Sequence, residues 1–164
     1  MNAIKFLETQ HEEVHELLEK AEKSKSAGAR QKLFQKIGDA LAVHAAIEEK
    51  IFYPAVMAKK TEDILLEAAE EHLSIKRVIA DLMQLDGSDR TYHAKISVLM
   101  EDVEHHVKEE RTSLFPLVRK LMDKAELEAL GVRLEMMTKE LEKQDQPRDA
   151  VPGETKHAAE LPAP

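Results

Sequence analysis

The sequence has no cysteine, only five glycines in 164 residues, and 4% aromatics. Without cysteine there can be no disulfide, thiolate catalysis or zinc-finger ligation, so any metal must be held by His, Asp, Glu or Tyr. So few glycines and aromatics speak against a β-sandwich or barrel, which relies on tight turns and strand-forming rings. No apolar run approaches the ~18 residues of a membrane span. The opening MNAIKFLETQHEE lacks the apolar stretch of a secretory signal and turns acidic early. Basic residues are in deficit, with 24 Lys and Arg against 32 Asp and Glu and a formal net charge of −8. That balance excludes the basic face needed for non-specific binding to nucleic acid or an anionic membrane. The expectation is a cytoplasmic protein with no nucleic-acid or membrane partner.

What is present points to helices. Hydrophobic residues make up 43% and charged residues 34%, rich in Leu, Ala, Glu and Lys. The period predicts helices over 3–25, 31–59, 61–85, 90–122 and 124–143, with SAGAR (26–30) and DGSD (86–89) as loops. Pro54 and Pro116 fall near the ends of the second and fourth helices, where they kink or break them. The expected fold is all-α: an antiparallel up-down-up-down four-helix bundle over 1–122, an accessory C-terminal helix over 123–144, and a disordered tail over 145–164. The tail holds four prolines and few large apolar residues. Leu127, Leu130, Leu134, Met137 and Leu141 form a seam on the fifth helix, for packing on the bundle's side or, alternatively, for a homodimer.

Each of the first four helices carries a stripe of apolar residues at 3–4 spacing, and each stripe is interrupted near its middle. The interruptions are His11, His44 with Glu48, His72, and His106 with Glu110. The second and fourth helices therefore repeat one phrase: HAAIEEKIFYP from His44 and HVKEERTSLFP from His106. Residues i and i+4 share a helix face, so each His-x-x-x-Glu aims an imidazole and a carboxylate at one point. Two facing carboxylates in an apolar core repel and are costly to desolvate unless a cation lies between them. Four histidines and two glutamates at one level can surround two metal ions, with the glutamates bridging. Nitrogen and oxygen donors without sulfur suit iron, manganese or zinc.

These residues resemble the hemerythrin family, specifically the bacterial HHE cation-binding domains. The resemblance rests on His11 in LETQHEEVHELL, His44-x-x-x-Glu48 before IFYP, His72 in EEHLSIK, and His106-x-x-x-Glu110 before SLFP, and it covers roughly residues 1–122. It implies a bundle holding a non-haem di-iron centre, two iron ions bridged by two carboxylates and an oxo or hydroxo group. It also implies small ligands: O2 in the oxygen carriers, and O2, peroxide or nitric oxide in relatives that sense or respond to them.

The sequence departs from the carrier pattern at two points. Carriers place a second histidine four residues on in the third helix, where this chain has Lys76, and they end the fourth-helix motif with aspartate at a longer offset, where this chain has Glu110. Four histidines fit cleanly, and His15 is the candidate for a fifth. Tyr53 is an alternative ligand through its phenolate, although its counterpart in the second copy is Phe115, which favours packing. Lys76 is read either as a snorkelling lysine at the bundle edge or as an ammonium beside the metals. His93, His105 and His157 are read as surface or outlying residues. Three functions share this ligand set: reversible O2 storage or carriage, an enzyme consuming peroxide or nitric oxide, and a metal-responsive interaction module without redox chemistry.

Overall fold

The computed structural model describes residues 1–160, and those residues form no strand. Helix α1 spans Ala3–Lys23, capped by the Asn2 side chain, which accepts from Lys5 N at 2.9 Å. Helix α2 spans Ala27–Ile47. It starts before the predicted residue 31 because Ser26 Oγ accepts from Ala29 N and makes most of SAGAR a first turn rather than a loop. A π-helical turn, Glu48–Phe52, and a short helix α3, Tyr53–Val56, complete the second rod. Helix α4 spans Glu62–Met83. Helix α5, Tyr92–Glu109, continues through a second π turn, Glu110–Leu114, into α6, Phe115–Leu121. Helix α7, Lys124–Glu142, opens on a capping box between Asp123 and Glu126. The all-helical bundle agrees with the fold expected from the sequence.

Helix α1 lies against α2 and α5, and α5 lies against α4. The ring of rods is completed between α2 and α4 by a segment that the sequence reading had placed in a disordered tail. Residues Pro147–Thr155 form a 3-10 turn packed on both helices, with Val151 buried. The expectation of disorder is thereby corrected for 147–155, while 161–164 lie outside the described residues. Proline content suggested a chain unable to bury apolar surface, yet one buried valine and two ion pairs, Arg148–Asp39 and Glu154–Lys76, help to dock it.

The apolar core has two halves. One holds Ile4, Leu7, Ile47, Phe52, Leu65, Leu114 and Phe115; the other holds Val14, Leu18, Phe34, Leu41, Ile79, Leu99 and Val103. On every rod the predicted histidine falls at the border between the halves. The seam of α7 packs entirely into the first half, with Leu127, Leu130 and Leu134 buried and Met137 and Leu141 partly so. This packing occupies the face suggested for a homodimer. Gly131 makes it possible, because a Cβ there would collide with the backbone carbonyl of Met1.

Both π turns shift the stripe. An uninterrupted 3–4 period would turn Ile51 and Ala55 inward after Glu48, and Ser113 and Leu117 inward after Glu110. The buried residues are instead Phe52, Tyr53 and Val56, and Leu114, Phe115 and Val118. Each π turn inserts one residue, with Tyr53 N bonded to Glu48 O and Phe115 N to Glu110 O. The prolines are the local cause: Pro54 and Pro116 have no N–H to return to the carbonyl four residues back, which loosens the α register there. The same loosening was written into both copies of the phrase.

Candidate metal centre

At the border between the two core halves, His11, His44, His72 and His106 are all buried, as are Glu48 and Glu110. The imidazoles form two pairs: His11 Nε2 lies 3.1 Å from His44 Nε2, and His72 Nε2 lies 3.0 Å from His106 Nε2. Each carboxylate reaches both pairs. Glu48 Oε1 is 3.2 Å from His44 Nε2, while Oε2 is 3.1 Å from His72 Nε2. Glu110 Oε2 is 3.2 Å from His11 Nε2, while Oε1 is 3.7 Å from His106 Nε2. Two imidazoles and one oxygen from each carboxylate thus converge at the His11–His44 end, while Glu48 joins His72 and His106 at the other, with Glu110 Oε1 farther off beside His106.

The polar atoms satisfy one another only in part. Glu48 Oε1 and Glu110 Oε2 are buried and accept no hydrogen bond, despite the nearby imidazoles. Buried orphan carboxylate oxygens are rare and costly. Facing nitrogen lone pairs and unsatisfied carboxylate oxygens form a donor set that fits divalent cations.

Three imidazoles are oriented from a neighbouring rod. Gln10 Oε1 on α1 lies 2.7 Å from His44 Nδ1 on α2. Glu49 Oε1, beside Glu48, lies 3.2 Å from His72 Nδ1 on α4. Glu71 Oε1 on α4 lies 3.0 Å from His106 Nδ1 on α5. With Nδ1–H donating to these oxygens, each Nε2 keeps its lone pair toward the site. His11 is held by stacking on Phe115, rings nearly parallel with centroids 6.1 Å apart. Gln10, Glu49 and Glu71 went unrecognised in the sequence; the signal for each is a polar residue adjacent to a candidate ligand, one step off the stripe.

Tyr53 stands at the centre. Its hydroxyl is 2.8 Å from Glu110 Oε1, 3.1 Å from Glu48 Oε2, 3.2 Å from His72 Nε2 and 3.4 Å from His106 Nε2. On a regular α-helix a residue five beyond Glu48 would face about 140° away. The inserted π residue puts Tyr53 where the i+4 position would otherwise be. The counterpart Phe115 has no hydroxyl, so one end of the site receives a phenol and the other a stacked ring.

His15 does not join the cluster. It is half-exposed and faces Glu104 at 3.4 Å and Glu19 at 3.8 Å. His11 already lies about 40° past Leu7, and a second four-residue step takes His15 to about 80°, off the buried stripe. Lys76 lies beside the centre, lining the cavity with the four imidazoles. It is buried, and its Nζ grips Glu49 at 2.7 and 2.9 Å and Glu154 of the C-terminal turn at 3.0 Å. His93, His105 and His157 are exposed.

Burial would lift the Glu48 carboxyl, but His44, His106 and His72 around it hold it well below the usual 4.5. Burial would likewise depress His106 and His72, yet the facing carboxylates raise both, His106 well above 6.5. Burial first, and then Glu110 and Glu48, keep the Tyr53 phenol protonated far above its usual 10.0.

On the side away from Tyr53 the four imidazoles line an apolar cavity of about 30 Å3, the space open to the centre of a water molecule, walled by Leu41, Ile79, Val103 and Val151. Outside His11, a surface cleft of about 620 Å3 opens between α1 and α5. Among the described residues no helix is long and apolar enough to cross a membrane.

A family model described as hemerythrin HHE cation binding domain matches residues 2–118. A curated protein from a Nostoc species, named DNA nickase, is 26% identical over 119 residues, covering 73% of this chain and 34% of its own length. The chain therefore spans about a third of that relative. Among solved structures, a hemerythrin HHE cation binding domain-containing protein from Mycobacterium kansasii superposes with a TM-score of 0.76 at 24% identity, covering 92% of this chain and 97% of that one. That likeness shows the shared fold.

Proposed function

The chain belongs to the hemerythrin family of HHE cation-binding domains, and from that premise we propose a non-haem di-iron protein that binds or reacts with O2, peroxide or nitric oxide, in sensing or stress response. The observation that carries this reading is the pair of carboxylates, each with one oxygen at each imidazole pair and each with one oxygen buried and unbonded. His11, His44, Glu48 and Glu110 would hold one ion, and His72, His106, Glu48, Glu110 and Tyr53 the other. A bound iron pair supplies redox electrons and a coordination position for a small ligand. Manganese or zinc suits the same donors.

The chain's own residues do the rest. Gln10, Glu49 and Glu71 fix the imidazoles, and the apolar wall on the ligand side offers few hydrogen-bond partners to water. To serve as a ligand Tyr53 would have to release the proton that its hydroxyl donates to Glu110 Oε1 at 2.8 Å and Glu48 Oε2 at 3.1 Å. Because Phe115 offers no donor, the His11–His44 end would present one protein ligand fewer than the Tyr53 end and would leave room for an added small molecule. Reversible O2 storage is the second reading, favoured by the small apolar cavity beside the imidazoles.

The test is anaerobic reconstitution with ferrous iron, metal counting, and optical spectra before oxygen, after oxygen and after its removal. Two irons per chain with a band that forms and persists support reaction with oxygen species. A band that reverses moves the reading to O2 storage. Failure to retain iron, manganese or zinc overturns the dimetal reading.

A further inference from the structure

The C-terminal turn that closes the ring between α2 and α4 also closes the cavity above the imidazoles. Val151 is the buried residue of that turn and forms part of the cavity wall. Two charged clasps flank it. On α2, the Asp39 carboxylate accepts from the Arg148 backbone N–H at 3.0 Å and from Arg148 Nη1 at 2.8 Å. On α4, Lys76 Nζ pairs with Glu154 Oε2 at 3.0 Å while also holding Glu49, which contacts His72 Nδ1. A line of charged contacts therefore runs from the turn to an imidazole of the centre.

We propose that Pro147–Thr155 is the gate of this cavity. Val151 stops its mouth, Arg148–Asp39 and Glu154–Lys76 latch it, and molecules larger than two or three atoms reach the imidazoles only when it lifts. The size limit follows from the volume. One water needs roughly 10–15 Å3 by this measure, so about 30 Å3 admits a diatomic and little more. The latch is weak enough to open. It rests on one buried valine and two ion pairs whose acidic partners reach solvent, Glu154 49% and Asp39 32% exposed, while Lys76 and Arg148 are 11% and 13% exposed. A segment held so lightly detaches without unfolding the helices beneath it. The consequence for ligand choice rests on the dimetal reading; the gating itself does not.

The chain lacks cysteine, so one introduced thiol reports the cavity alone. Ile79→Cys places it on the α4 wall and Leu41→Cys on the α2 wall, so a misfolded variant at one site leaves the other. The rate of labelling by N-ethylmaleimide is measured in each background with and without Glu154→Gln or Arg148→Ala. Loosening either clasp is expected to speed labelling about fivefold, as for a half-buried ion pair, with the melting curve of the bundle unchanged. Equal rates would overturn the gate. So would acceleration by Lys108→Ala alone, which widens the α1–α5 cleft without changing the cavity wall and would place entry past His11. In the iron-loaded chain, the loosened variants should react faster with tert-butyl isocyanide while nitric oxide changes little. Faster labelling without bound metal would keep the gate and remove the di-iron function; two irons with unchanged labelling would do the reverse.

Discussion

Tyr53 Oη lies 2.8 Å from Glu110 Oε1, a contact between residues 57 apart in sequence that each sit at a π turn. It joins the two copies of the repeated phrase at the middle of the core. The copies agree in histidine, glutamate and proline and differ at Tyr53 and Phe115, so the two ends of the site are chemically unequal.

Tyr53→Phe tests that inequality. The variant should still fold, since Phe115 occupies the matching position. It should bind one of two metals at least about tenfold more weakly and lose any phenolate-to-ferric charge-transfer band. Unchanged spectra and affinities would make Tyr53 a packing residue.

Glu48→Gln and Glu110→Gln should each reduce bound metal below two per chain by elemental analysis, because a neutral amide bridges poorly. His93→Ala should leave metal content unchanged. Retention of two tightly bound metals in both glutamine variants would remove the bridging roles.

Stability of chelator-stripped protein should depend on pH with a definite sign. His72 and His106 are raised above 6.5 by the carboxylates that outweigh their burial. Their stabilisation is complete below 6.5 and is lost as pH climbs through the raised values. Glu48, Glu49 and Glu71 are held below 4.5 by histidines, and in Glu49 also by Lys76, against the effect of burial. Their contribution is complete above 4.5 and fades as pH falls. The stripped chain should be most stable between these values, while metal binding, which needs bare Nε2 atoms, strengthens upward. The melting-temperature gap between loaded and stripped protein should widen from pH 6 to 8; a constant gap would contradict the ligand set.

Gly131→Ala would stabilise an ordinary helix by about 1 kcal/mol. Here the added Cβ meets the Met1 carbonyl and adjacent backbone, so chemical denaturation should show a loss of about 1–3 kcal/mol. Metal content should not change. A gain in stability would mean that α7 does not press on the N-terminus as described.

The sequence by itself determined the helical class, the level of the site and its four histidines and two glutamates, because a 3–4 period broken by costly polar residues can be read in one dimension. It also contained the doubled proline but not its consequence. Whether a missing N–H yields a kink, a break or an inserted π residue depends on what the next turn must bury, so Tyr53 and the shifted stripe emerged only in the folded core. His15 shows the same limit: four residues after His11 places it near the stripe, and a cumulative 40° drift carries it to the surface. Gln10, Glu49 and Glu71 each orient an imidazole on another rod, a pairing set by how the rods lie side by side. The docked C-terminal turn was the least legible, since its attachment depends on one valine and on charges whose partners, Asp39 and Lys76, stand far away in the chain. Local spacing specifies which face a residue occupies; the packing of rods decides what that face meets.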